Sequence, residues 1–251
     1  VQDEVRIVPL RGIPDVRPGD DLVQLLTAAL APHGGLADGD VLVVTQKIVS
    51  KAEGRLIDPH SVAPSAFAEQ VAQMGRKDAQ HQEVVLRETK RIVRMANGVL
   101  ICETHHGLIC ANAGVDESNV DGQGLLCLLP VDPDASAARL RDALAAAAGR
   151  QAAVIISDTF GRPWREGQVN VAIGAAGLEV LADYTGINDA YGYLMQASKI
   201  AVADELAAAA ELVMGKIDQV PAALIRGYRF TPSESSTAAA LIRDARFDLF
   251  R

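Results

Sequence analysis

The chain has 251 residues, with 24 Lys and Arg against 32 Asp and Glu, so its formal net charge is −8. Hydrophobic residues make up 49% and charged residues 22%, a balance that excludes a disordered chain. The acidity argues against a general nucleic-acid binder, and no run approaches the roughly 20 apolar residues of a membrane span.

The first predicted element is a strand over Val5–Leu10, broken by Gly12 and Pro14. A helix then opens at Pro18-Gly19-Asp20-Asp21, with Asp20 as the expected N-cap and Leu22, Leu25, Leu26 and Ala29 at helical spacing. Val41–Thr45 reads as a buried strand and Lys47–Glu53 as a helix stopped by Gly54. Residues 64–94 show a polar, charged helical pattern, taken as an exposed pair of helices. Val99–Cys102 and Gly107–Cys110 form a predicted hairpin, and Leu125–Leu129 a short strand.

A helix is expected from Pro133-Asp134 through Leu140 and Leu144 to Gly149. Ala152–Ser157 is a clear buried strand that empties into a polar loop, Asp158–Gln168. Val169–Ala175 returns to strand. Ala201–Lys216 is the strongest helix, with Gly215 as its stop. Pro221–Ile225 is a last core strand, followed by a loop and a short C-terminal helix. The alternation gives a mixed α/β, or α+β, fold class.

Four polar clusters sit at strand ends or in glycine-containing loops, where a rigid element fixes a group and a loop exposes it. The first is Thr45 to Lys51, a helix start with Lys47 and Lys51 one turn apart. It is not a P-loop, and alone it reads as a solvated helix start with two surface lysines. The second, Asn112 to Val120, is dense in oxygen ligands. Asp116 with Asn119 could hold a hard cation beside a phosphate, and an Asx-rich turn would need the same residue types.

The third, Ile155 to Gln168, carries most information. An acid and a hydroxyl, Asp158 and Thr159, directly after a buried strand suit Mg²⁺ or Mn²⁺ with phosphate oxygens. Arg162 and Arg165, flanking the only tryptophan, can grip a carboxylate or phosphate. The fourth, Asp183 to Gly192, offers Asp189 and two tyrosines for a substrate, or simply a connecting loop.

Cys102, His105, His106 and Cys110 do not have a familiar zinc spacing and read as core thiols with neighbouring histidines. Three cysteines in all, odd and sparse, fit reduced thiols and a cytoplasmic location. Asp204-Glu205 fits the polar face of an amphipathic helix.

Taken together, the chain resembles the coenzyme F420-0:L-glutamate ligase family. The resemblance rests on Thr45–Gly54 (TQKIVSKAEG), Ala111–Asn119 (ANAGVDESN), Ser157–Gly167 (SDTFGRPWREG), Gly174–Gly177, Asp189–Gly192 and Ala201–Lys216, in order along the whole length. It implies the stand-alone ligase, or a piece of the longer type that appends a flavin-binding region.

The activity implied is GTP-dependent addition of L-glutamate to the terminal carboxylate of F420-0, then of γ-linked glutamates, through an acyl phosphate. The fold implied is two intertwined subdomains in one unit, residues 1–251. We expect residues 1–85 plus 180–251 to form one and residues 86–179 an inserted one, with the whole forming a homodimer. Carried over by position, Asp116 and Asp158 match metal-binding aspartates, with Thr159 beside a second metal. Lys51 and Asn119 match nucleotide contacts, and Ile13, Pro14, Asp15 and Val16 match a nucleotide-lining loop.

Gln46 is a further nucleotide-binding position by the resemblance, and it stands where relatives often have Ser, so its contact would differ. Lys216 stands near an acidic second-metal ligand of some archaeal members, a departure that bears on the metal count. The cofactors implied are Mg²⁺ or Mn²⁺, two ions, with GTP as co-substrate and K⁺ as a further ion. Arg162 and Arg165 are our candidates for holding the acceptor or the incoming glutamate. The rival readings are a ligase for another carboxylate and a non-catalytic nucleotide- or metal-binding scaffold.

Overall fold

A computed structural model describes residues 4–117 and 124–248. Its strands and helices, in chain order, are β1 Arg6–Pro9, α1 Leu22–Leu30, β2 Val41–Thr45, α2 Gln46–Ala52, β3 Leu56–Ile57, α3 Ala66–Ala72, α4 Ala79–Arg87, β4 Thr89–Ala96, β5 Val99–Thr104, β6 Ile109–Ala111, β7 Leu126–Cys127, α5 Pro133–Ala148, β8 Ala153–Arg162, β9 Arg165–Ala176, β10 Ala182–Asp183, β11 Lys199–Ile200, α6 Val202–Met214 and β12 Ala222–Arg226. The fold is mixed α+β, as expected.

A five-stranded sheet of order β1-β12-β2-β8-β9 forms the centre. Its one parallel pair is β2 with β8, in a register that sets Thr45 beside Ser157. Both faces of this sheet are covered, which is why its inner strands read as continuous apolar runs. Alternation sends Leu42, Val44, Val154, Ile156 and Leu224 to one face, against α1 and α5. It sends Val41, Val43, Ala153, Ile155 and Ala223 to the other, against α6. Each fully buried Leu, Ile or Val contributes about 1.5–3 kcal/mol, so these two layers hold the sheet rigid.

A third core gathers Val62, Val71, Val84, Val85, Leu100, Cys102, Ala113, Val115, Leu126 and Leu128 between α3, α4 and the sheet β4-β5-β6. β8 and β9 belong to the large sheet and α5 packs on it, whereas the third core runs from residue 57 to residue 128.

Local rules explain most boundaries. The N-cap of α1 is Asp21, which accepts from Val23 and Gln24 N–H, while the expected cap Asp20 accepts from Arg17 N–H in the preceding turn. At α5, Asp132 caps, Pro133 occupies the first turn and Gly149 ends the helix at φ 64°.

Three expectations are corrected. The helical pattern of residues 64–94 stops at Arg87, and Thr89–Ala96 pairs with β5, so cross-strand pairing overrides helix propensity there. The two helices are not simply exposed either, since Val71, Val84 and Val85 enter the third core. The polar loop Asp158–Gln168 is a two-stranded ribbon, β8 running through Arg162 and β9 starting at Arg165. Its tip is Pro163-Trp164, with Trp164 in the left-handed region at φ 56°. The C-terminal helix is reduced to two 3-10 turns, Ala238–Leu241 and Ala245–Phe247.

Candidate active site

The parallel pairing of β2 and β8 explains the convergence at the centre of the site. Both strands end their shared register at Thr45 and Ser157, so the next residues emerge side by side at the carboxyl edge of the sheet. That edge is where open α/β sheets place ligands. From β2 come Gln46, Lys47 and, one turn later, Lys51. From β8 come Asp158 and Thr159.

Asp116 arrives from the third-core segment. Its backbone N–H and carbonyl both pair with Cys127, at 3.0 and 2.8 Å, which fixes its position. Lys47 Nζ then donates to Asp116 Oδ2 at 2.7 Å. The neighbouring Glu117 is held from α4 and the loop before it. Lys77 Nζ donates to Glu117 Oε2 at 2.5 Å, and the buried His81 places Nδ1 2.6 Å from Oε1. Burial holds the His81 imidazolium below its usual pKa, with the Lys77 charge acting the same way.

The Asp158 carboxyl is pushed up to about 6. Burial is the largest cause, and the Asp116 charge acts the same way; the Thr159 backbone N–H, Lys47 and Lys216 act against it. The side chain keeps some exposed area, yet the surrounding protein dominates its solvation. Two thiols border the acids. Cys110 is pushed up to about 12 by burial and by Asp158, and Cys127 to about 11, mainly by burial.

Thr159 faces the other side of β8. Its hydroxyl donates to Asn170 Oδ1 at 2.7 Å, and Lys216 Nζ, just past α6, donates to Thr159 Oγ1 at 2.6 Å. Asn170 Nδ2 donates to Glu211 Oε2 at 2.9 Å.

The structure therefore brings Asp116 and Asp158 together, sets Thr159 beside them on the other side of the same strand end, and adds Lys47, which the sequence alone presents as a surface lysine. Lys51 is also buried. Its ammonium donates to Asp15 Oδ1 at 2.6 Å and ties α2 to the N-terminal loop. In that loop Ile13 and Val16 turn into the core, whereas Pro14 and Asp15 are exposed. Gln46 is buried and accepts from Ser50 Oγ at 2.8 Å, within its own helix. Asn119 lies outside the described residues.

Arg162 and Arg165 sit at the outer end of the ribbon. Arg162 donates to the carbonyls of Glu166 and Gly167, at 2.6 and 3.4 Å, and so braces its own hairpin. Arg165 is exposed. Asp189 accepts from the backbone N–H of Tyr191 and Tyr193 and shapes a turn.

Cys102, Cys110 and Cys127 are buried free thiols, as expected. His105 and His106 contact backbone carbonyls of Arg87 and Pro130. Asp204 accepts from Ala172 N–H at 2.9 Å and joins α6 to β9, a structural task its place on a polar helix face did not announce.

The oxygens of Asp116, Asp158 and Thr159 suit a hard divalent ion. Among the described residues no group of three or more His, Cys, Asp and Glu could hold one. Such an ion would therefore need phosphate and water for its remaining positions, as Mg²⁺ commonly does. The two ammonium groups on Asp116 and Thr159 mark where positive charge belongs. Among the described residues no helix is long and apolar enough to cross a membrane.

Comparison with known proteins gives a consistent answer. The sequence model of the F420-0:gamma-glutamyl ligase family matches residues 12–227. A coenzyme F420:L-glutamate ligase of Methanothermobacter thermautotrophicus is 46% identical over 250 residues, covering 98% of this chain and 99% of the relative. One of Methanopyrus kandleri is 46% identical over 253 residues, covering 98% of both chains. One of Methanocaldococcus jannaschii is 40% identical over 229 residues, covering 91% of both.

Proposed function

The chain belongs to the F420-0:gamma-glutamyl ligase family, and from that premise we propose that it joins L-glutamate to the terminal carboxylate of coenzyme F420-0 and then adds γ-linked glutamates, using GTP. The observation that carries this reading is the meeting of Lys47, Asp116, Asp158 and Thr159 at the carboxyl edge of β2 and β8. Two acids, a hydroxyl and an ammonium on a rigid edge are suited to crowded phosphates.

A carboxylate is a poor electrophile, so it must first gain a leaving group. The acceptor carboxylate oxygen attacks the γ-phosphorus of GTP, and the bond to GDP breaks. The glutamate amine then attacks the acyl carbon, and inorganic phosphate departs with the original carboxylate oxygen. Lys47 is placed to meet phosphate charge, and Lys51 with Asp15 orders the loop proposed to line the nucleotide. Asp116, Asp158 and Thr159 would hold Mg²⁺ or Mn²⁺. A bound divalent ion neutralises phosphate charge that an acidic protein cannot. Arg165, exposed on the ribbon, is free to meet a carboxylate of the acceptor or of glutamate.

We further propose a homodimer. Residues 183–199 form an arm closed by β10 and β11, and Ile187, Tyr191, Tyr193 and Leu194 on it are each at least half exposed. A two-stranded arm with that much apolar surface is marginal alone and gains from being covered. A doubled mass by light scattering would support this, and a monomer at micromolar concentration would refute it.

The activity is tested by mass spectrometry of F420-0 incubated with protein, L-glutamate, GTP and Mn²⁺, omitting each in turn. A glutamyl increment that needs every component supports the ligase. GTP bound without any product would favour another acceptor or a scaffold.

A further inference from the structure

Thr159 and Asn170 face each other directly across β8 and β9. Their hydrogen bonds form a chain in which each link dictates the next. The Glu211 carboxylate can only accept, so the nitrogen of the Asn170 amide must face it. The Asn170 carbonyl is thereby turned to Thr159, whose single hydroxyl proton goes to it. What Thr159 shows on its other side is therefore lone pairs, and the Lys216 ammonium rests on them at 2.6 Å.

We propose that Asn170 is a positioning residue that locks the Thr159 hydroxyl as an acceptor toward a cation at the strand edge, with Glu211 locking Asn170 in turn. Asn170 is 2% exposed, on a strand whose neighbouring inward positions are apolar, so packing alone would be served by Leu. A buried amide there needs a polar reason. Without it, the Thr159 hydroxyl can swing its proton away from β9 and oppose positive charge at the strand edge. Identifying that cation with a divalent metal rests on the function proposed above.

The test uses Mn²⁺ alone as probe, with the free ion read by electron paramagnetic resonance, on the wild type, Asn170→Leu and the double variant Asn170→Asp/Glu211→Gln. The double variant keeps the total charge and the Thr159 donation and reverses only the link between positions 170 and 211, since the new carboxylate accepts from both Thr159 and the new amide. We expect Asn170→Leu to weaken Mn²⁺ binding at least fivefold and the double variant to stay within twofold of wild type. In turnover, the Mn²⁺ KM should rise in Asn170→Leu while kcat at saturating Mn²⁺ holds.

Equal Mn²⁺ binding by wild type and Asn170→Leu would overturn the inference and leave the metal reading standing. So would a double variant with wild-type Tm that binds fivefold more weakly, which also decides the matter if Asn170→Leu fails to fold. A wild type that binds no Mn²⁺ would overturn both.

Discussion

The two faces of β8 use consecutive residues in opposite ways. Asp158 points to the face shared with α1 and α5, into a field of full charges brought by Lys47 and Asp116. Thr159, the next residue, points to the α6 face, into a chain of short hydrogen bonds through Asn170 and Glu211, ended by Lys216. On the charged face the partners come from two distant parts of the chain, and their energies depend on burial, the repulsion of Asp116 and the attraction of Lys47. On the hydrogen-bonded face Asn170 is set by strand register and Glu211 and Lys216 by the packing of α6, and the order of donors and acceptors does the positioning. One strand end thus supplies charge on one side and oriented polarity on the other.

The comparison breaks most severely at Asp158. Asp158→Asn keeps the shape and removes the charge, so turnover should fall by at least about 10³-fold with the circular dichroism spectrum unchanged. Full activity in a folded variant would remove Asp158 from the mechanism. A smaller loss, about 10²-fold in kcat, is expected for Lys47→Met. That change also strips Asp116 and Asp158 of a compensating cation, so the Asp158 carboxyl should titrate above its present value of about 6. Carboxyl NMR would show it, and an unmoved titration would mean that Lys47 is not coupled to the acid pair.

The charged face also predicts a sign for stability. In the metal-free protein the folded state holds the Asp158 proton more tightly than the unfolded chain does. Stability is therefore lost as pH rises from the ordinary carboxyl range through about 6. At pH 7.5 Asp158→Asn should be more stable than metal-free wild type by roughly 1–2 kcal/mol, and the difference should vanish near pH 4. Paired thermal melts at the two pH values check this. A variant less stable at pH 7.5 would show that the carboxylate is well solvated. The smallest effect concerns the thiols beside the acids. With Cys110 up at about 12 and Cys127 at about 11, the native protein should react negligibly with a disulfide reagent at pH 8 over an hour. Rapid labelling of either would show the site to be more open than its packing.

Much of this site was legible in the sequence because charge and apolar runs are local signals. The run Val41–Thr45 and the run ending at Ser157 marked two buried strands, and Lys51, Asp116, Asp158 and Thr159 stood at their ends or in a glycine-containing turn. Two things were not legible. The parallel pairing of β2 with β8 and the pairing of Asp116 with Cys127 are long-range contacts; the first sets Lys47 at the shared strand edge, and the second brings Asp116 to it.

Asn170 and Glu211 were passed over for a different reason. An Asn in a strand and a Glu on a helix have no signature until register puts one opposite Thr159 and helix packing sets the other against it. The ribbon was misread because Gly161, Pro163 and Gly167 are loop residues by composition. Cross-strand pairing from Asp158 to Arg162 outweighs them, and the turn confines Arg162 to its own hairpin. The third core escaped because residues 64–94 carry many charges outside and only a few apolar residues inside.

The most direct test of phosphoryl activation at this strand edge uses F420-0 labelled with ¹⁸O in its terminal carboxylate. The label should pass into the inorganic phosphate released, one atom for each first glutamate added, in the presence of GTP, L-glutamate and Mn²⁺. Amide product formed with no ¹⁸O in the phosphate would contradict an acyl-phosphate route.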